Sequence, residues 1–117
     1  MGQAPDVVDL SKLQIKRSED FGNLYANTLR VNISFQDASI VFGEIIEAEP
    51  GKFEVEDLMD VKMPLSQAKI LANVLTESVL AYELEFGQQL PVPKQYSPHE
   101  YREIIKPIIK KMKEAIS

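Results

Sequence analysis

The order of apolar and polar residues predicts a meander of antiparallel strands in the first half of the chain. Residues 25–35 alternate with a period of two, which is typical of a half-buried strand. The polar segment SFQDAS favours a hairpin turn, and residues 39–47 form the returning strand. Pro50 and Gly51 predict a second reversal, because they supply the restricted and the permissive backbone dihedral angles of a tight turn. Residues 53–63 follow as the third strand.

Two irregularities interrupt this alternation. Phe42 and Ile45 fall on the same face only if the second strand contains one additional residue, so Gly43 is predicted to be a β-bulge. In the third strand, Asp57 interrupts the apolar positions and predicts a bulge or a bend. Pro64 then ends the strand, because proline has no N–H to donate to the ladder.

An amphipathic helix is predicted from Ser66, which is suited to cap it, to Phe86, and Gly87 ends it in the position where helices favour glycine. One continuous apolar stripe should cover a face of the sheet. It consists of Ala68, Leu71, Ala72, Leu75, Val79, Tyr82 and Phe86. A second apolar set would then remain in water, so we expect it to form an oligomer or partner interface. This set consists of Ile70, Val74, Ala81 and Leu84.

The end of the chain predicts a linker and a last helix. Residues 88–96 contain two prolines that favour an extended path, and residues 97–117 form a basic amphipathic helix. Its start is marked by a capping box in SPHE, in which Ser97 is the cap. Pro107 lies inside the helix and predicts a kink or a break there. Its apolar face adds three residues to the candidate interface: Ile105, Ile109 and Met112.

These segments predict an α+β fold with an antiparallel sheet of three to four strands, a long helix packed on one face, and a kinked C-terminal helix. The N-terminal arm, residues 1–23, is predicted to be loose or to add one short strand around Leu13 and Ile15. Residues 24–87 form the core domain, followed by the linker and the basic helix.

Length and composition narrow the class of protein. With 117 residues, of which 44% are hydrophobic and 26% charged, the chain is typical of one soluble globular domain. The absence of cysteine excludes disulfides, thiolate catalysis and zinc sites built on sulfur, and it agrees with a reducing cytoplasm. No apolar segment approaches the roughly 18 residues of a membrane-spanning helix. We therefore expect a cytoplasmic protein without a transmembrane segment.

Charge is distributed unevenly within a net charge of −5. Residues 35–90 contain 11 acidic and three basic residues, whereas residues 91–117 contain six basic and three acidic residues. An acidic body argues against binding to nucleic acid, because affinity for phosphates comes largely from neutralising them. The lysines of the last helix are the only feature that favours the alternative, in which the protein binds nucleic acid or an anionic membrane surface.

Residues with catalytic or metal-binding chemistry are few. His99 is the only histidine, and it lies in the first turn of a capped helix, where a surface role is favoured over general-base catalysis. The acidic cluster in the third strand, Glu54, Glu56, Asp57 and Asp60, lacks the spacing of a calcium loop and favours a solvated strand edge. Phosphate loops, dinucleotide fingerprints and nucleophile elbows are absent. We therefore expect a non-enzymatic protein with no cofactor and no metal.

Short motifs occur at the following positions: Tyr25, Asn27, Phe42, Gly43, Pro64, Ala68, Lys69, Tyr82, Glu83, Phe86 and Gly87. Together they resemble a family of small prokaryotic proteins described as a domain of unknown function. The resemblance covers about residues 24–87, and Ala38 departs from it, since the family usually has an aromatic residue there. It implies a three-stranded meander followed by a long helix. The family has no assigned activity, so no catalytic residue can be carried over.

The order of strands followed by a long helix is also similar, in topology alone, to the SecB export chaperone, an oligomer that holds unfolded chains. The function we expect is that of a homo-oligomeric adaptor or regulatory module that binds another protein. A chaperone that binds extended polypeptide is the alternative, and surface binding through the basic helix is the second alternative.

Overall fold

The computed structural model describes residues 9–116 and has the order of elements that the sequence predicts. The strands are β1 (Thr28–Ile33), β2 (Asp37–Glu49) and β3 (Lys52–Pro64), and the helices are α1 (Leu65–Phe86) and α2 (Pro98–Ile116). Short 3-10 turns occur at Leu10–Lys12 and Lys94–Tyr96. The α+β class is therefore confirmed. Contacts divide the chain into two compact units, the first ending at Ile70 and the second beginning at Leu71.

The N-terminal arm contains no strand in the part that the structure describes. Its first eight residues lie outside the described range. From residue 9 to residue 23, the only regular element is the first 3-10 turn, and Leu13 and Ile15 are exposed. The short strand predicted around these two residues does not form.

The sheet is a three-stranded antiparallel meander with β2 in the centre. Leu29 of β1 lies opposite Phe42, which lies opposite Met59 of β3, and the neighbouring apolar residues follow the same register. They form one side of the sheet, here called the apolar face. It consists of Leu29, Val31, Ile33, Ala38, Ile40, Phe42, Met59, Val61 and Met63.

The first strand is shorter than the predicted range of residues 25–35. Beyond its ends, side-chain hydrogen bonds join single backbone bonds from the Asn27 and Ser34 N–H groups. The side-chain Oδ1 of Asn27 accepts a hydrogen bond from the Ile45 N–H at 2.8 Å. Tyr25 therefore precedes the strand and is exposed. At the other end, Ser34 Oγ accepts from the Asp37 N–H at 3.1 Å and donates to the Asp37 carboxylate at 2.8 Å, which closes the hairpin turn.

Two register shifts interrupt the pairing of β2 with β3. The one beside Phe42 is a bulge in β3 and not at Gly43, where it was predicted. Phe42 pairs with Met59, but Gly43 pairs with Asp57, so Leu58 is the additional residue. The predicted irregularity of β3 at Asp57 is thus confirmed as a bulge, and β2 continues through Gly43 without an insertion. Because β2 keeps its alternation, Ile45 lies on the opposite face from Phe42.

The first helix ends as predicted but begins differently. α1 starts at Leu65, and Ser66 does not cap it, since the Oγ atom of Ser66 is buried without a hydrogen-bond partner among the described residues. At the other end, Gly87 adopts a φ of 59°, and the Gln88 N–H bonds to the Glu83 carbonyl at 3.1 Å. This arrangement is a Schellman motif.

The second helix continues through Pro107, so the proline does not break it. Ser97 precedes it with an extended backbone, and its carbonyl accepts the Tyr101 N–H at 2.9 Å. Neither helix combines the length and the apolar character required to cross a bilayer, within the residues that the structure describes. The packing of α1 on the sheet and the four-segment division of the chain stay predictions.

The glycine opposite the bulge predicts a strong effect of substitution. A Cβ atom at Gly43 would lie 2.7 Å from Thr28 Oγ1 and 2.9 Å from the Glu56 carbonyl oxygen. We expect Gly43→Ala to lower the free energy of unfolding by about 1–3 kcal/mol, because backbone atoms must move. Gly22→Ala is the control, since a Cβ there meets nothing within 4 Å. Equal urea midpoints for the two variants at one protein concentration would contradict this assignment.

Candidate protein-interaction site

The face of the sheet opposite the apolar face is polar next to β1. Arg30 forms an ion pair with Asp57 at 2.5 Å, which crosses the central strand from β1 to β3. Lys62 Nζ lies 2.8 Å from Asp60 Oδ2. The hydrogen bond from Lys62 lowers the pKa of Asp60, and the same bond raises the pKa of Lys62. These exposed pairs leave this part of the sheet well solvated.

The acidic cluster of β3 does not converge on one point. The bulge at Leu58 places Asp57 and Asp60 on the polar face, where both have cationic partners. Glu54 and Glu56 lie on the other face, and Glu56 stands directly opposite Glu44. The four carboxylates are thus divided between two faces, an arrangement unsuited to holding one metal ion.

Beyond the bulge, β2 and β3 continue as a two-stranded ribbon that β1 does not cover. We call it the distal hairpin, residues 44–56. On one face of it, Ile45 lies opposite Val55, and Phe53 is the next residue of β3 on that side. The exposed fractions of Ile45, Val55 and Phe53 are 48%, 52% and 66%. These three neighbours form an exposed apolar patch, here called the hairpin patch.

The apolar stripe of α1 is exposed as well. The helix contains no buried residue. Leu75, Val79, Tyr82 and Phe86 are all exposed, and Ala68 and Leu71 are half-buried. The stripe therefore offers a continuous apolar surface along the helix.

A shallow depression of about 400 Å³ lies beside this stripe, lined by Ser78, Val79, Tyr82 and Leu90. Two contacts shape it. The Tyr82 and Phe86 rings pack with their centroids 4.7 Å apart, and the Glu83 carboxylate accepts the Leu90 N–H at 2.7 Å. The second contact holds the start of the linker against the end of the helix.

A family model described as "Protein of unknown function (DUF3467)" matches residues 2–105. The chain belongs to the DUF3467 family. No curated protein and no solved structure matches it. The resemblance that the short motifs suggested is therefore confirmed, and it extends over most of the chain.

The structure assigns architectural roles to several of the DUF3467 positions matched in the sequence. Asn27 bonds the backbone of β2, and Gly43 makes room opposite the bulge. Glu83 and Gly87 form the C-terminal cap of α1. The other matched positions lie in the sheet (Phe42, Pro64), on α1 (Ala68, Lys69, Tyr82, Phe86) and before β1 (Tyr25).

The candidate interface of the DUF3467 chain is partly covered. Val74, Ala81, Leu84 and Ile109 are exposed, whereas Ile70, Ile105 and Met112 are half-buried. The two helices thus present apolar side chains outside the main stripe of α1 too. Nothing in residues 9–116 identifies a partner for this second set, and its role stays a prediction.

Sequence reasoning did not identify the hairpin patch. Phe53 and Val55 share their parity with Met59, so simple alternation places all three on the apolar face. The bulge at Leu58 moves the first two to the other side. The interruption of the apolar positions at Asp57 could have indicated the patch, because side chains before and after a bulge lie on different faces than simple alternation predicts.

The contact between helix end and linker predicts a local change in amide exchange. In Glu83→Ala the Leu90 N–H loses its charged acceptor, and we expect its hydrogen exchange to accelerate about tenfold. Glu83→Gln retains an acceptor oxygen and should exchange close to the wild-type rate. The Gln88 amide is the internal control, because it bonds to the backbone of residue 83. An unchanged exchange rate of the Leu90 amide in Glu83→Ala would show that the contact does not stabilise the linker.

Proposed function

We propose that this DUF3467 chain is a non-enzymatic, homo-oligomeric module that binds another protein as an adaptor or regulator. The observation that carries the proposal is the lack of a core in the isolated chain. Among the residues whose burial the structure describes, only Ala38, Ser39 and Gly43 are buried. Apolar side chains exposed on the helices and on the distal hairpin need cover from another molecule.

The polar residues support a role without catalysis. His99 is exposed in the first turn of α2, and no described contact joins it to a second side chain that would orient it. The carboxylates of β3 are divided between two faces, and two of them are ion-paired. General acid–base chemistry requires groups that converge on one reacting atom, an arrangement that these residues lack.

Two separate surfaces suit the two parts of the proposal. The stripe of α1 is long and apolar, which suits a permanent contact between copies. The hairpin patch is smaller, and Glu47 lies directly opposite Phe53, which suits the polar rim of a contact with a different protein. Self-association and partner binding would thus use different residues.

Sedimentation equilibrium tests the oligomer. We expect a molecular mass of at least twice 13.2 kDa at micromolar concentration, because a lone chain exposes its apolar residues to water. A monomer at all concentrations, with helix and strand content intact by circular dichroism, would refute the oligomeric part of the proposal.

Affinity purification from the native host tests the partner surface. We expect Phe53→Ser to lose a copurifying protein that wild type retains, because the substitution removes the largest side chain of the hairpin patch. Phe35→Ser is the matched control, since Phe35 is also an exposed aromatic residue but lies in the turn between β1 and β2. Equal recovery of the copurifying protein with both variants would exclude the hairpin patch as its binding surface.

A further inference from the structure

The stripe of α1 has the spacing of a coiled-coil seam. Its apolar positions recur alternately after three and four residues over the whole helix, which is a heptad repeat. The seam consists of Leu65, Ala68, Ala72, Leu75, Val79, Tyr82 and Phe86. None of them is buried in the single chain. A seam of this kind is normally covered by a second helix.

We propose that the α1 helices of two copies pack against each other in antiparallel orientation, with a two-fold axis close to Glu77. This inference rests on the proposed homo-oligomeric function and identifies its contact surface. The occupant of the stripe is therefore a second copy of this chain, and the interface is isologous.

Side-chain size supports the antiparallel orientation. In an antiparallel pair, a seam residue of one copy meets the seam residue of the second copy that lies equally far from residue 77 in the other direction along the helix. Phe86 then meets Ala68 of the second copy, and Tyr82 meets Ala72. In the centre, Leu75 meets Val79. The largest side chains thus face the smallest, whereas a parallel pair would stack Phe86 on Phe86 and Ala68 on Ala68.

Charge supports the same orientation. Lys69 and Glu83 occupy equivalent flanking positions of the heptad at opposite ends of α1. An antiparallel pair brings Lys69 of one copy beside Glu83 of the other, and symmetry repeats the contact. Glu83 accepts the Leu90 N–H through Oε2, so the proposal assigns the contact with the lysine to Oε1. Glu77 lies on the far side of the helix from the seam.

The depression beside the stripe gives the second copy a place to insert a side chain. It is lined by Val79, Tyr82 and the linker residue Leu90, with Ser78 at its edge. Leu75 of the second copy meets Val79 in the antiparallel register, so its side chain enters this depression. Knobs that fill such holes are what hold coiled coils together.

Two neighbouring residues of nearly equal exposure provide the test by substitution. Leu75 is 53% exposed and lies in the seam, whereas Val74 is 56% exposed and belongs to the second apolar set. We expect Leu75→Glu to raise the dimer dissociation constant at least about 100-fold, because two charges would be buried at the centre of the seam. Val74→Glu should dimerise like wild type. The reverse result would overturn the proposal in favour of the second set.

Disulfide trapping tests the orientation without relying on a destabilised variant. The chain contains no cysteine, so Leu75→Cys and Val79→Cys each provide a single thiol. When the two variants are mixed and oxidised, we expect mixed dimers that join residue 75 to residue 79, since facing seam positions fall within disulfide range. Val74→Cys is the control and should not cross-link. Intact mass distinguishes mixed from homogeneous dimers, because the two variants differ in mass.

The outcomes separate this inference from the proposed function. Homogeneous cross-links would indicate a parallel pair and overturn the proposed orientation. Absence of cross-links in a protein that sediments as an oligomer would overturn the α1 interface alone. A monomeric wild-type protein would overturn both the interface and the homo-oligomer.

Discussion

Covering apolar side chains is the constraint on which the rest of this structure depends. A folded domain is stabilised mainly by removing apolar surface from water, and an isolated copy of this chain removes little of it. Ala38 is its one buried hydrophobic residue in the described part of the chain. Under the proposed homo-oligomeric function, the missing burial comes from a second copy. Folding and association would then be linked, and the proposal makes stability depend on protein concentration.

The bulge at Leu58 determines which surfaces the sheet presents. In the part of the sheet that contains β1, the apolar residues lie on one face. On the other side of the bulge, in the distal hairpin, Ile45 and Val55 lie on the opposite face. Gly43 lies opposite the bulge, and its lack of a side chain lets β1 and β3 approach it closely. One additional residue thus gives a short chain two apolar surfaces with different orientations.

Much of the fold could be predicted from the sequence, because turn and cap chemistry is local. Pro50 and Gly51 mark the second hairpin, and Gly87 marks the end of α1 with its positive φ. The start of β1 could not be predicted, since alternation continues through Tyr25, whereas regular pairing begins at Thr28 and Asn27 bonds β2 partly through its side chain. The strand that contains the bulge could not be predicted either. An additional residue in β2 or in β3 would each account for one of the two breaks in apolar alternation.

The candidate site was harder to predict for a different reason. Periodicity identifies an apolar stripe, but it does not say what covers the stripe. The sequence predicted that the sheet covers the main stripe of α1 and assigned the interface to the second set around Val74. Leu75 of the main stripe and Val74 of the second set are exposed to nearly the same extent, so exposure alone does not distinguish the two stripes. Heptad spacing over the whole of α1 was the available signal for the main stripe.

Nuclear Overhauser contacts between differently labelled copies test the antiparallel pairing of α1. In a mixed sample of labelled and unlabelled chains, an isotope-filtered spectrum reports only contacts between copies. We expect contacts from the Leu75 methyl groups to Val79 and from the Phe86 ring to the Ala68 methyl group. Contacts between copies that involve Val74 or Leu84 instead, or none at all from α1, would contradict it.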